Sequence, residues 1–144
     1  MKNNTARYKF IEHTADARFE AYGKDLNELF ENSGLALEEI QVNTKNVESK
    51  EEKTIQIENE SIEMLLFDFL QELIYLKDAE KLIFSKFKVS ITKDEKYFLN
   101  VVCKGDKLDF RKHEFRVDAK AVTLHQYEVK KEKGKWIARI IIDI

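Results

Sequence analysis

The spacing of apolar residues in this chain changes near Phe84, and that change limits the folds that the chain can adopt. Before this point, two segments carry apolar residues three or four positions apart, which is the spacing of one face of an α-helix. After it, apolar and polar residues alternate, which is typical of strands with one buried face. The chain has 144 residues, about the size of one domain, so we predict a single α+β domain over residues 1–144.

The two helical segments are predicted to begin at residues suited to cap a helix. Asp25 is followed by Glu28 three positions later, and Ser61 precedes the second apolar run. The second segment has an unusually broad apolar face, which we expect to be buried against a sheet; a partner-binding groove is the alternative. The residues of that face are Ile62, Met64, Leu65, Leu66, Phe67, Phe69, Leu70, Leu73, Ile74, Tyr75 and Leu76.

Seven further segments are predicted to be strands, in the order ββαβαββββ with the helices. The first two are Tyr8–His13 and Ala15–Tyr22, and one strand around Ile55 separates the helices. Four strands follow the second helix, and the last two are predicted to form a hairpin closed by Glu132-Lys133-Gly134. The charged run Glu48–Lys53 is predicted to be a turn. We therefore expect mixed or antiparallel sheet layers with two amphipathic helices.

Composition argues against several classes of protein. The 25 Lys and Arg residues are balanced by 27 Asp and Glu, and the net charge of -2 argues against strong direct binding of nucleic acid. The basic runs Lys104–Lys112 and Lys130–Lys135 are interrupted by acidic residues and are expected to be solvated. No segment has the length and apolarity of a secretion signal or a membrane helix, so we predict a cytoplasmic protein. Cys103, the single cysteine, is expected in the core.

Acidic residues stand beside apolar ones in two places, Glu12–Asp16 and the last five residues, Ile140–Ile144. If the last strand is central in its sheet, Asp143 and the α-carboxylate of Ile144 leave its end together. A hard divalent cation would offset their repulsion, and simple solvation of both carboxylates is the alternative.

Two histidines allow more than one interpretation. His13 and His125 are candidates for metal ligands or acid–base groups, or for side chains packed at the edge of the core. The chain lacks a phosphate-binding Gly-rich loop, an esterase nucleophile motif and a Cys-x-x-Cys pair. No catalytic residue is therefore indicated by the sequence.

Four blocks of the sequence, spread over essentially the whole chain, resemble the archease family. The blocks are Tyr8-x-Phe10-x-Glu12-His13-Thr14-Ala15-Asp16 with Ala21-Tyr22-Gly23 and Leu29-Phe30-Glu31, then Leu65-Leu66 with Phe69-Leu70-x-Glu72-Leu73, then Lys120-Ala121-Val122-Thr123-x-His125, and last Trp136 with Ile142-Asp143-Ile144. The resemblance implies a chaperone-like archease fold. It also implies an accessory protein that is not itself an enzyme. Its implied partner is the GTP- and manganese-dependent RNA-splicing ligase, the 3′-phosphate RNA ligase of tRNA splicing, whose guanylylation and multiple turnover it would promote.

The same resemblance implies a site for one divalent metal ion, which is calcium in some members of the family. Carried over by position, its ligands would be Asp16, Asp143 and the main-chain or terminal oxygens of Ile144. Glu12 and His13 would support the site.

Lys120 and His125 match the third block, and their role, orienting the acidic residues or packing a turn, stays open. The pair Ala17–Arg18 departs from the family pattern without changing the expected ligands, and it is expected to alter the neighbouring surface. Two other functions remain as alternatives to ligase activation. They are a general chaperone or protein-binding module, and a small metal-dependent phosphoester hydrolase.

Overall fold

The computed structural model of the protein describes residues 6–11 and 16–144. Within this part, two α-helices and seven strands follow each other in the predicted order ββαβαββββ, which confirms the α+β class. The elements are β1 (Tyr8–Ile11), β2 (Ala17–Gly23), α1 (Leu26–Gln41), β3 (Glu51–Asn59), α2 (Ile62–Glu80), β4 (Leu82–Lys93), β5 (Tyr97–Lys107), β6 (Ala121–Glu132) and β7 (Lys135–Asp143).

The strands form two antiparallel sheets. Four strands pair in the order β1-β2-β7-β6, and three pair in the order β3-β5-β4. The last two strands therefore do not extend the sheet of the strands before them. They return to the beginning of the chain and pair with β2, which the order of elements alone did not indicate.

Both helices begin at the predicted capping residues. The Asp25 side chain accepts a hydrogen bond from the backbone N–H of Glu28 at 2.9 Å, and Ser61 Oγ accepts one from Met64 at 3.1 Å. These bonds satisfy N–H groups that have no partner inside the helix. Helix α2 ends at Lys81, whose φ of 58° is the left-handed conformation common after a helix.

Helix α1 packs against β2 of one sheet and β4 of the other, so it is buried on most of its circumference. Its side chains also cover the outer edge of β4. Glu31 accepts a hydrogen bond from the N–H of Val89 at 3.3 Å, and Asn27 accepts one from Ile91 at 3.0 Å. Because an unpaired strand edge is a template for aggregation, these contacts protect the three-stranded sheet.

The broad apolar face of α2 lies in the core, as predicted, and does not form an exposed groove. Leu65, Phe69 and Leu73 are among its fully buried residues. Tyr75 is the exception, since 57% of it is exposed, and its assignment to this face was wrong. Cys103 is fully buried, as predicted, and burial raises the pKa of its thiol to about 12.

Some predicted boundaries were inaccurate. The run Glu48–Lys53 is not a turn throughout, because β3 begins at Glu51 and pairs with Gly105 at that point. A strand with many charged residues on its exposed face has a sequence similar to that of a solvated turn. Residues 12–15, which include the junction between the first two predicted strands, lie outside the described residues.

Gly105 and Gly134 are required for different reasons, the first for close packing of two backbones and the second for its backbone conformation. Gly105 lies in β5 beside an irregularity of β4, and a Cβ atom there would be 1.8 Å from the carbonyl oxygen of Ile83. Gly134, in the β6–β7 turn, has a φ of 77°, and a Cβ atom there would meet no atom within 4 Å.

We predict that Gly105→Ala lowers the free energy of unfolding by about 3 kcal/mol or more, because the β4 and β5 backbones must separate. Gly134→Ala should cost about 1 kcal/mol, the price of a left-handed conformation alone. Urea denaturation of both variants measures the difference. Equal losses would contradict the close approach at Gly105.

A carboxyl group lies within the core of the protein. Glu38 of α1 is fully buried, and its Oε2 atom has no hydrogen-bond partner. Burial raises its pKa to about 8, although the backbone N–H of Phe84 and the nearby Lys77 ammonium act in the opposite direction. A protonated side chain fits this environment, since an isolated buried carboxylate is strongly unfavourable.

We predict that Glu38 makes the protein less stable as the pH rises from about 5 to about 8. In this range the folded chain holds a proton that the unfolded chain releases, so the contribution falls by about 1.4 kcal/mol per pH unit. Glu38→Gln should lack this dependence. Urea denaturation of both proteins at several pH values checks it, and a constant difference between them would show that Glu38 does not titrate there.

Candidate functional site

The pairing of β2 with β7 places the predicted metal ligands at one end of the four-stranded sheet. Ala17 is opposite Ile142, so Asp16, one residue earlier, and Asp143, one residue later, leave neighbouring strands at the same end. The strand β7 lies between β2 and β6 and is therefore central, as the sequence interpretation required. We call Asp16, Asp143 and Ile144 the acidic end of this sheet.

Backbone contacts fix the position of Asp143. Its carbonyl oxygen accepts a hydrogen bond from the N–H of Lys120 at 2.8 Å, and Ala121 is opposite Asp143 in the β6–β7 register. The beginning of β6 is in turn held by α2, since the Gln71 side chain accepts a hydrogen bond from Val122 N–H at 2.6 Å. Contacts from helix α2, as well as the pairing of the strands, therefore hold the acidic end in position.

A buried lysine anchors the segment that leads into β6. The Nζ atom of Lys77, in α2, donates to the Asp118 carboxylate and to the Ala119 carbonyl oxygen, the latter at 2.9 Å. The N–H of Ala119 donates to the side chain of Gln41 at 3.3 Å. Only 3% of Lys77 is exposed, so replacing it by an apolar residue would leave these oxygen atoms without their donor.

Arg18 contacts one of the predicted ligands directly. Its Nε atom donates to Oδ1 of Asp16 at 3.0 Å, and its Nη1 atom to the side chain of Gln126 at 3.3 Å. The departure from the family pattern at position 18 thus places a cation beside the Asp16 carboxylate. A metal ion at this carboxylate would be repelled by the guanidinium group.

Strand β6 has an irregularity beside the acidic end. Its register with β7 shifts between Thr123 and Glu128, and Gln126 has a φ of 53°. His125 lies in this irregular segment and is exposed, so it is not packed at the edge of the core. Lys120 is also exposed.

Two predicted site residues, Glu12 and His13, and one further histidine, His113, remain to be considered. Glu12 and His13 lie outside the described residues. His113, which the sequence did not single out, is buried, and its Nδ1 atom accepts a hydrogen bond from the N–H of Asp109 at 3.0 Å. Its contacts are those of a residue that holds a turn together.

A row of charged side chains crosses the face of the sheet that carries Arg18. Arg139 of β7 donates from Nε to Glu20 of β2 at 2.6 Å and from Nη1 to Glu128 of β6 at 2.7 Å. The hydrogen bond from Arg139 holds the pKa of Glu20 below its usual value. The sequence reveals which face such residues occupy but not their cross-strand neighbours, so this row was not predicted.

The chemistry of the acidic end suits a hard divalent cation. It offers two aspartate side chains and the backbone oxygens of the residues beside them, and calcium is bound by oxygen atoms of this kind. In the described part of the chain, no three side chains of His, Cys, Asp or Glu are grouped so that they could hold a metal ion. Because calcium takes about six to eight oxygen ligands, water or another molecule would have to complete the shell.

Large apolar side chains are exposed near the same end of the sheet. Phe10 and Ile11 of β1 are 47% and 38% exposed, and Leu124 in the irregular segment of β6 is 57% exposed. Phe10 and Ile11 are consecutive in β1 and therefore point to opposite faces of the sheet. Ile11 and Arg18 line a shallow cavity of about 200 Å³ on the face that carries Arg18. The acidic end is therefore adjacent to apolar surface of the kind found at protein–protein contacts.

No helix in the described ranges, 6–11 and 16–144, has the length and apolarity needed to cross a membrane.

Comparison with known proteins identifies relatives over nearly the entire chain. The model of the Archease protein family matches residues 8–144. A protein archease from Pyrococcus furiosus is 42% identical over 96% of this chain and 99% of its own length. Another, from Methanothermobacter thermautotrophicus, is 43% identical over 95% and 98%.

Solved structures show the same architecture. The solution structure of a Methanobacterium thermoautotrophicum protein superposes with a TM-score of 0.85, at 42% identity, over 96% of this chain and 99% of that one. The crystal structure of a Thermotoga maritima archease, described as a possible chaperone, has a TM-score of 0.62. At 24% identity, over 99% of this chain and 100% of that one, it shows the fold alone. The family match, the identities over nearly full length and the shared fold together show that this chain belongs to the archease family.

Proposed function

We propose that this chain is a metal-binding accessory protein that activates the GTP- and manganese-dependent RNA-splicing ligase in tRNA splicing and RNA repair. The observation that carries the proposal is the β2–β7 register, in which Asp16 and Asp143 leave neighbouring strands at the same end of the sheet. In the family resemblance these positions correspond to metal ligands. The ligase, the metal ion and a cytoplasmic location are parts of this proposal.

The acidic end is suited to present a metal ion to a partner. Asp16, Asp143 and the terminal oxygens of Ile144 would hold one divalent ion, calcium being the first candidate. The ion would neutralise carboxylates that otherwise repel each other, and thereby stiffen the junction of β2 and β7. Lys120 would contribute by holding the Asp143 backbone in place.

The exposed apolar side chains beside the acidic end support a protein partner. Burial of Phe10, Ile11 and Leu124 in a contact would supply affinity, and the carboxylates would supply specificity. The acidic end would approach the nucleotide- and manganese-binding centre of the ligase and favour the arrangement that accepts GMP on its histidine. The chain itself would catalyse no reaction.

A general chaperone is the second candidate, and the same exposed apolar residues favour it. A chaperone would suppress aggregation of many unrelated proteins, whereas a dedicated activator would act on one ligase. An aggregation assay with two unrelated client proteins separates the two functions. Hydrolysis of model phosphoesters by the purified chain with divalent ions would instead support an enzyme.

We predict that Asp16→Ala and Asp143→Ala each reduce calcium affinity at least about 10-fold, since each removes a ligand from the site. Arg18→Gln should raise affinity about three- to ten-fold, because a cation beside Asp16 is removed. Calorimetric titration measures all three. Asp94→Ala, in the exposed β4–β5 turn, is the matched control and should bind like the unmodified chain. Unchanged affinity in both ligand variants would remove these residues from the site.

We further predict that a peptide tag after Ile144 reduces stimulation of the cognate ligase, while the same tag before Met1 has little effect. The C-terminal tag replaces an ionised carboxylate by a neutral amide and adds residues at the acidic end. Guanylylation and multiple-turnover ligation measure stimulation, with folding of both proteins matched by circular dichroism. Equal stimulation would show that the terminal carboxylate is dispensable, and no stimulation by the untagged chain would refute the proposed function.

A further inference from the structure

A second recessed surface lies between the two sheets, away from the acidic end. It is a groove of about 920 Å³ formed where β1 faces the irregular part of β4, with α1 and the segment before β3 as further walls. Its lining includes Tyr8, which is partly exposed. The charged residues of the lining are Arg7, Glu39, Lys45, Glu48 and Lys86.

The two acidic residues of the groove are already neutralised by cations outside its lining. Glu39 accepts a hydrogen bond from Arg116 at 2.8 Å. Glu48 forms ion pairs with Lys50 and Lys112 at 3.1 and 2.9 Å. The charges of these acids are therefore largely offset before any ligand enters the groove.

The three cations of the groove, by contrast, have no acidic partner among residues 6–11 and 16–144. Arg7 donates from Nε to the amide oxygen of Asn32 at 2.7 Å, which leaves its positive charge uncompensated. Lys45 and Lys86 are exposed and form no ion pair with a described residue. The electrostatic potential in the groove is therefore more positive than the three basic and two acidic residues of its lining would give by themselves.

The positive surface continues from the groove onto the open face of the three-stranded sheet. Lys86 is opposite Lys104 in the β4–β5 register, and Lys88 follows on the same face about 7 Å along β4. Neither Lys88 nor Lys104 forms an ion pair with a described residue, although Glu52 is opposite Lys104. Like charges in opposite positions destabilise a sheet, so an anion that lies over both lysines would remove a repulsion.

We propose that this groove and the lysine row beside it bind a single-stranded polynucleotide through its phosphodiester backbone. A small anion would occupy the groove alone, whereas the cations continue over the edge of β4 as a track for successive phosphates. Tyr8 would provide a ring on which a base can stack, as in other surfaces that bind single strands. The net charge of -2 makes this binding weak and strongly dependent on salt. The inference is independent of the proposed ligase activation.

The test is fluorescence anisotropy of the full chain with labelled twelve-residue oligouridylate and oligothymidylate, at several salt concentrations from about 50 mM upwards. The triple variant Lys45→Gln, Lys86→Gln, Lys88→Gln removes three cations from the track. The matched control, Lys24→Gln, Lys131→Gln, Lys133→Gln, removes three exposed lysines elsewhere. Both variants change the net charge from -2 to -5.

We expect both oligonucleotides to bind the unmodified chain. Their affinity should be at least about 10-fold lower for the track variant and nearly unchanged for the control variant. The dependence of log affinity on log salt should become shallower by about 2 in the track variant, because three phosphate contacts are lost. Absence of binding at 50 mM salt would overturn the proposal. Equal losses in the two variants, or equally effective displacement by polyglutamate, would also overturn it, because net charge alone would then explain the binding.

Discussion

The antiparallel pairing of β2 with β7 is the contact on which the rest of the structure depends. It joins segments more than a hundred residues apart and brings Phe19 opposite Ile140 on the inner face of the sheet. The same register sets Asp16 and Asp143 at one end of the sheet. A slip of one residue would turn Phe19 outward and separate the two carboxylates, so core and site are fixed by a single alignment.

Polar groups inside the protein support this alignment. Lys77 and Gln41 bind the segment before β6, and Gln71 binds the first residues of β6 itself. Because the N–H of Lys120 binds the Asp143 carbonyl oxygen, the two helices are linked to the acidic end through a continuous set of hydrogen bonds. Such contacts are costly to leave incomplete, which restricts the positions that β6 can occupy.

Much of the fold could be predicted because its local signals agree with one another. The caps at Asp25 and Ser61, the apolar face of α2 and the β6–β7 hairpin all follow from short-range patterns. Which strands share a sheet could not be predicted, since alternation gives the buried face of a strand but not its neighbour.

The same limit applies to the site. The acidic residues could be chosen from the sequence, and the family resemblance added their grouping. The ion pair of Arg18 with Asp16 and the row through Arg139 could not be predicted, since they depend on side-chain reach and on cross-strand register. Buried Lys77 was also missed, because a lysine between Leu76 and Asp78 near the end of a helix usually indicates solvated surface.

The position of β7 at the centre of its sheet has a consequence for synthesis on the ribosome. Strands β1 and β2 are synthesised early. However, β2 cannot pair with β7, its second neighbour in the sheet, until β7 has left the exit tunnel. During that interval the apolar side of β2, which carries Phe19 and Ala21, lacks part of its native cover. The acidic end cannot assemble until translation has reached Asp143, so a partner that recognises it would distinguish chains in which β7 is paired with β2 from chains in which β7 has not yet been made.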